Sequence, residues 1–130
     1  MCLALSLVPS TAAAQVPAPP ESKVLSDALT DAQTLGGTPV HCRAGGVHVV
    51  LADVCLHFPN LRPSQLILEL SVSRADRLVL KQWAASDRYP GTLLNIWSLG
   101  TEHRAVWVVP AASGQGSVLA FWPPTLSELL

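Results

Sequence analysis

Apolar positions change period once along this chain. Residues 22–35 carry Val24, Leu25, Ala28, Leu29, Ala32 and Leu35 at helical spacing, with Lys23, Asp27, Thr30, Asp31 and Gln33 on the remaining circumference. Ser22 suits an N-cap, and Gly36 suits the left-handed position that ends a helix. An amphipathic helix that needs an apolar surface to lie on is predicted.

Beyond it, alternation by two takes over. "QLILELSVS" sets Leu66, Leu68, Leu70 and Val72 on one side and Ile67, Glu69, Ser71 and Ser73 on the other, the pattern of a strand. "RLVLKQWAA", "TLLNIWSL", "RAVWVVP" and "SVLAFWPP" follow, separated by turn-forming stretches such as "DRYPG" and "SGQG". Two more strands are expected between residues 38 and 54, and "TLSELL" reads as a terminal helical turn. The predicted fold class is α+β: one N-terminal amphipathic helix packed on a mostly antiparallel meander sheet of about five to seven strands.

Each of the last four strands carries one tryptophan, and loop lengths suggest a register. Pairing Trp107 with Trp122, Trp97 with Trp107 and Trp83 with Trp97 leaves loops at residues 113–116, 101–103 and 89–91, ordinary lengths for hairpins. The same register sets Lys81 opposite Glu69, Leu80 opposite Leu70 and Leu78 opposite Val72, all favourable cross-strand pairs. One face then reads Leu66, Leu68, Leu70, Val72, Leu78, Leu80, Leu94, Ile96, Val106, Val108 and Phe121, an aliphatic core for the helix.

The other face aligns Trp83, Trp97, Trp107 and Trp122 among Glu69, Ser71, Lys81 and Asn95. So much indole on an open face points to recognition, because Trp supplies large contact area and one N–H donor at small entropic cost. The expected binding residues are Trp83, Trp97, Trp107, Trp122, Asn95 and Lys81. The expected partner is another protein, with burial in a homo-oligomer as a second use. Glycan sites usually add several carboxylates or amides, and here only Asn95 and Glu69 lie near. The competing structural reading is that the register differs and the indoles form a second core.

Length and charge narrow the partners. The 130 residues suit one domain, and a formal net charge of −1 without basic blocks argues against nucleic acid or an anionic membrane. No apolar run reaches the length of an integral membrane segment. The N-terminus holds a short apolar core followed by Ala12 and Ala14, which fits an A-x-A cleavage site, although no Lys or Arg precedes it. The expected organisation is a signal peptide at 1–14, a Pro-rich spacer at 15–21 and a single domain at 22–130. Localisation is accordingly expected to be exported, periplasmic or extracellular.

Export would leave Cys42 and Cys55 as the only cysteines, in an oxidising compartment. A straight hairpin turning at Gly45 and Gly46 would place Cys42 opposite Val49, about 20 Å from Cys55. A disulfide needs the two Cα atoms within about 7 Å. The regular hairpin and the bond are therefore incompatible. The exported context favours the disulfide, with "HCRAGG" folding back over a shorter strand bent near Asp53.

A metal site would need Cys42, His48, Cys55 and His57 to converge, yet no C-x-x-C or H-x-x-x-H spacing occurs and His41 and His48 flank the "GG" turn. No metal, no cofactor and no catalytic residue is assigned. Nucleophile and phosphate-loop motifs are missing, and Ser113, His103 and Asp87 form a trio only in the sense that each falls in a predicted loop. The expected function is a small exported, non-catalytic binding domain. The alternative is a hydrolase or metal-binding protein with its site around residues 41–58.

Overall fold

The computed structural model describes residues 22–45, 52–87 and 90–123. The expected leader, the spacer, His48 and the terminal "TLSELL" turn lie outside the described residues. Helix α1 (Lys23–Leu35) forms where its periodicity places it. The Ser22 hydroxyl accepts the Leu25 N–H at 3.2 Å, and Gly36 takes φ 86°, a conformation that costs a residue without a Cβ little. Val24, Leu25, Ala28 and Ala32 are buried on the sheet-facing side.

Strand β1 (Thr38–Val40) leads into a 3₁₀ turn (Cys42–Gly45), and strand β2 (Val54–Phe58) returns antiparallel to β1, with Val40 opposite Cys55. Helix α2 (Pro63–Ser73) follows, then β3 (Ala84–Ala85), β4 (Leu93–Leu99), β5 (Glu102–Pro110) and β6 (Ser117–Phe121). The described residues thus form an α+β fold of two helices and six antiparallel strands in the order β1-β2-β6-β5-β4-β3. β3 to β6 make a meander, and β6 closes against β2.

Two expectations are corrected. The segment 66–73 is helix, not strand. Pro63 occupies the first turn, where its missing N–H is no loss, and the Gln65 side chain accepts the Arg62 N–H at 2.9 Å. Leu66 and Leu70, four apart, enter the core, whereas Leu68 and Val72 stand 64% and 76% exposed. Four alternating aliphatics satisfied both periods, and the helix start at Pro63 decides between them. The pairings of Glu69 with Lys81, Leu70 with Leu80 and Val72 with Leu78 therefore do not form.

The segment 77–85 is not a continuous strand either. Leu78 bridges to Trp97, β3 pairs with β4 through Ala84–Leu94 and Ala85–Leu93, and the chain between bows away. There the Asn95 side chain substitutes for a strand, accepting the Leu80 N–H at 2.9 Å and donating to the Leu80 carbonyl at 3.1 Å.

Asp27 and Asp31, on the polar circumference of α1, are both partnered. Asp31 is buried and lies 3.3 Å from the Arg74 Nε, an ion pair without hydrogen-bond alignment, while Asp27 pairs with the Arg77 Nε at 3.3 Å. Helix α1 thus meets the C-terminal end of α2 through charge as well as through aliphatic packing.

The phase of α2 separates two leucines of identical chemistry. Leu70→Ala is expected to cost about 2–5 kcal/mol and Leu68→Ala under about 0.5 kcal/mol. Urea unfolding midpoints of the two variants check this, and equal losses would mean that the segment is not a helix seated as described.

Candidate functional site

The sheet presents two faces, and the hairpin between β4 and β5 determines which indole goes where. Leu99 pairs with Glu102, so only Gly100 and Thr101 turn the chain. Gly100 has φ 65° and Thr101 is not in the left-handed region, the signs of a two-residue loop with glycine in its first position. Trp97 consequently lies opposite Arg104, and Trp107 opposite Leu94. Relative to the expected register the slip is three residues, and an odd slip sends the two indoles to opposite faces. "L-G-T-E" carried this signal, since Gly-X is a preferred two-residue loop.

The expected row of four tryptophans does not form. Trp97 is fully buried beneath α1, 5.7 Å from the Phe121 ring, and donates its indole N–H to Asp27 Oδ2 at 3.0 Å. Trp83 packs against the same core and donates to the Ser71 hydroxyl of α2 at 3.3 Å. Both belong to the helix-bearing side. Asn95 is also fully buried and committed to the backbone of Leu80, and Lys81 is exposed on the segment that bows away. Leu94 and Ile96, expected in the helix-side core, fall on the other face, because Leu94 pairs with Trp107 and Ile96 with Ala105.

Trp107 and Trp122 do come together. Trp107 pairs with Ala120 in β6, two residues before Trp122, and the ring centroids lie 5.2 Å apart at 45°. This pair sits on the face away from both helices, in a second apolar cluster with Cys55, Val109, Ala111, Val118 and Ala120, bordered by Val40, Cys42, Ala52 and Leu94. Trp107 is 8% exposed and its Nε1 is buried without a hydrogen-bond partner. Such an orphaned donor costs about 1–3 kcal/mol.

Cys42 and Cys55 form a disulfide with Cα atoms 5.1 Å apart. The bond is compatible with an oxidising compartment. The bond, not the long hairpin, prevails: β2 is only five residues long, and the chain bends at Asp53, one residue before β2. Two donors of the conceivable metal set are thereby consumed. His57, the third, meets the Gln115 carbonyl with Nε2 at 2.9 Å. No group of three or more His, Cys, Asp or Glu residues is placed to hold a metal among the described residues. His103 and Ser113 lie beyond opposite ends of the Arg104-to-Pro110 stretch of β5, roughly 20–30 Å apart at strand rise, so the loop trio is not assembled. No helix among the described residues is long and apolar enough to cross a membrane.

Charge gathers on the helix-bearing side. Glu102 accepts the Ser22 hydroxyl at 2.6 Å, the Val24 N–H at 3.1 Å and the Arg104 Nε at 3.2 Å. Arg104, itself buried, continues to Asp53 at 3.1 Å and to the Trp122 carbonyl at 3.3 Å. Sequence reading missed this network because its members lie far apart in the chain.

Compared with known protein families, curated proteins and solved structures, the chain matches none. Its site must be read from its own residues.

Two carboxylates should shape the acid limb of stability in opposite senses. Burial pushes Glu102 up, but the hydrogen bonds from Ser22, Val24 and Arg104 outweigh it and the pKa is lowered. Its contribution is present above the ordinary carboxylate range and is lost as pH falls through the lowered value. For Asp31 burial prevails over Arg74 and Ser73, and the pKa is raised. Its contribution is complete at low pH and is lost as pH rises through the raised value. Urea unfolding between about pH 3 and pH 7 should therefore show Glu102→Gln flattening the rise of stability with pH and Asp31→Asn steepening it. For the orphaned indole, Trp107→Phe should be neutral or stabilising in the same assay, since it removes the donor and keeps an aromatic ring.

Proposed function

We propose that this protein is a small exported, non-catalytic binding domain that contacts another protein through the sheet face carrying Trp107 and Trp122. The observation that carries the reading is the placement of a close indole pair in an apolar cluster on the face that neither described helix packs against. Trp is the residue type most enriched where proteins make tight contacts. Half-buried Leu94, Ile96 and Trp122 and exposed His103 are the accessible part of that face, over Trp107 at 8% exposure and the fully buried Val109, Val118 and Ala120. Export is supported by the Cys42–Cys55 bond and by the leader-like N-terminal sequence. Asn95, Trp83 and Trp97 are engaged elsewhere and are left out of the proposed contact.

A photo-crosslinking residue tests the reading in the native cell. Placed at His103, on the same face as Trp107, it should yield a defined protein adduct in the exported fraction. Placed at Gln33, exposed on α1, it should not. Adducts at neither position, or equally at both, would overturn the assignment.

A further inference from the structure

Residues 79–83 run beside only two positions of β4, Asn95 and Ile96, between the Leu78–Trp97 bridge and the Ala84–Leu94 pair, so the chain arches off the sheet there. Both feet of the arch are anchored. On the leading side the Val79 N–H reaches the Ile96 carbonyl at 2.9 Å. The fully buried Asn95 side chain takes both polar groups of Leu80, at 2.9 and 3.1 Å. On the trailing side Trp83 packs against the helix-side core and donates to the Ser71 hydroxyl at 3.3 Å. Lys81 and Gln82 stand exposed between these anchors. Other basic residues are placed differently: Lys23 lies in α1, Arg62 caps α2, and Arg74, Arg77 and Arg104 are held in ion pairs.

We propose that residues 79–83 form a protease-inhibiting loop, which presents Lys81 to the acidic specificity pocket of a trypsin-like serine protease. The loop is a different segment from the Trp107–Trp122 face, and neither reading depends on the other. Such proteases take an exposed stretch of backbone and select it by one side chain, a basic one where the pocket holds a carboxylate. A stretch already fixed at both ends binds without the ordering cost that a flexible substrate incurs. On binding, the serine oxygen of the protease adds to the Lys81 carbonyl carbon. Its proton passes through the catalytic histidine to the Gln82 nitrogen as the Lys81–Gln82 bond breaks. In a flexible substrate the new amine departs and water replaces it. Here Asn95 holds the acyl side through Leu80, and Ser71 holds the amine side through Trp83. The Gln82 amine therefore remains beside the acyl carbon, re-forms the amide and returns the proton to the serine. The protease stays occupied and net hydrolysis is slow.

Titration of the full chain into trypsin, with a small chromogenic lysine substrate as reporter, tests the proposal. Half-inhibition below about 10 μM is expected. Lys81→Ala alters an exposed side chain, so it should fold as the wild type does by far-ultraviolet circular dichroism and inhibit at least about a hundredfold more weakly. Ser71→Ala releases Trp83 and leaves Lys81 in place. Mass spectrometry should then show cleavage at Lys81–Gln82 about tenfold faster or more than in the wild type. Half-inhibition that needs more than about 10 μM of wild-type chain overturns the proposal. So does equal inhibition by Lys81→Ala, or a wild-type Lys81–Gln82 bond cut as fast as in a free peptide of the same sequence.

Discussion

A hairpin joined by two residues has one parity, and in this protein that parity decides the layout of the whole sheet. With Leu99 opposite Glu102, every odd-numbered residue of β4 faces the helices and every odd-numbered residue of β5 faces away. Trp97 is thereby delivered beneath α1, where its ring fills the core and its N–H is satisfied by Asp27. Trp107 is delivered to the opposite side, with Trp122. One additional residue in the turn would put both indoles on the same face: either Trp97 would leave Asp27 and the core beneath α1, or Trp107 would be forced in beside it.

The helix layer depends on carboxylates as much as on leucines. Glu102, immediately after the turn, satisfies the Val24 N–H and the Ser22 hydroxyl at the start of α1, so the hairpin that orients Trp97 also caps the helix lying over it. Asp27 and Asp31 then bind the far side of α1 to Arg77 and Arg74 beyond α2. Each contact is modest alone, but all of them fix the rotation of α1 about its axis, which apolar packing by itself specifies loosely.

The legible parts of the sequence were those governed by local signals. Ser22, Gly36 and six apolar positions suffice for α1, and the strands β4, β5 and β6 follow from alternation bounded by glycine turns. For the disulfide, strand rise showed only that a long hairpin and a Cys42–Cys55 bond exclude one another, and the expected oxidising compartment favoured the bond that forms. Helix α2 was hidden because Leu66, Leu68, Leu70 and Val72 obey a period of two while Leu66 and Leu70 alone meet the core. The Trp row failed for a different reason: a three-residue loop is expected at 101–103 where the chain turns in two residues, Gly100 and Thr101, and the resulting slip of three is odd. The interface of Asp27, Asp31, Arg74 and Arg77 is a tertiary fact, invisible to any pattern along the chain.

The Asn95 amide on β4 has a consequence for self-association. By occupying both polar groups of Leu80 it seals the backbone where the outermost strand dwindles to Ala84 and Ala85. An intruding strand from another molecule finds no continuous ladder to extend along that margin, which is how natural sheets avoid edge-to-edge polymerisation. Copies of this chain that associate are therefore not joined along the β3 margin.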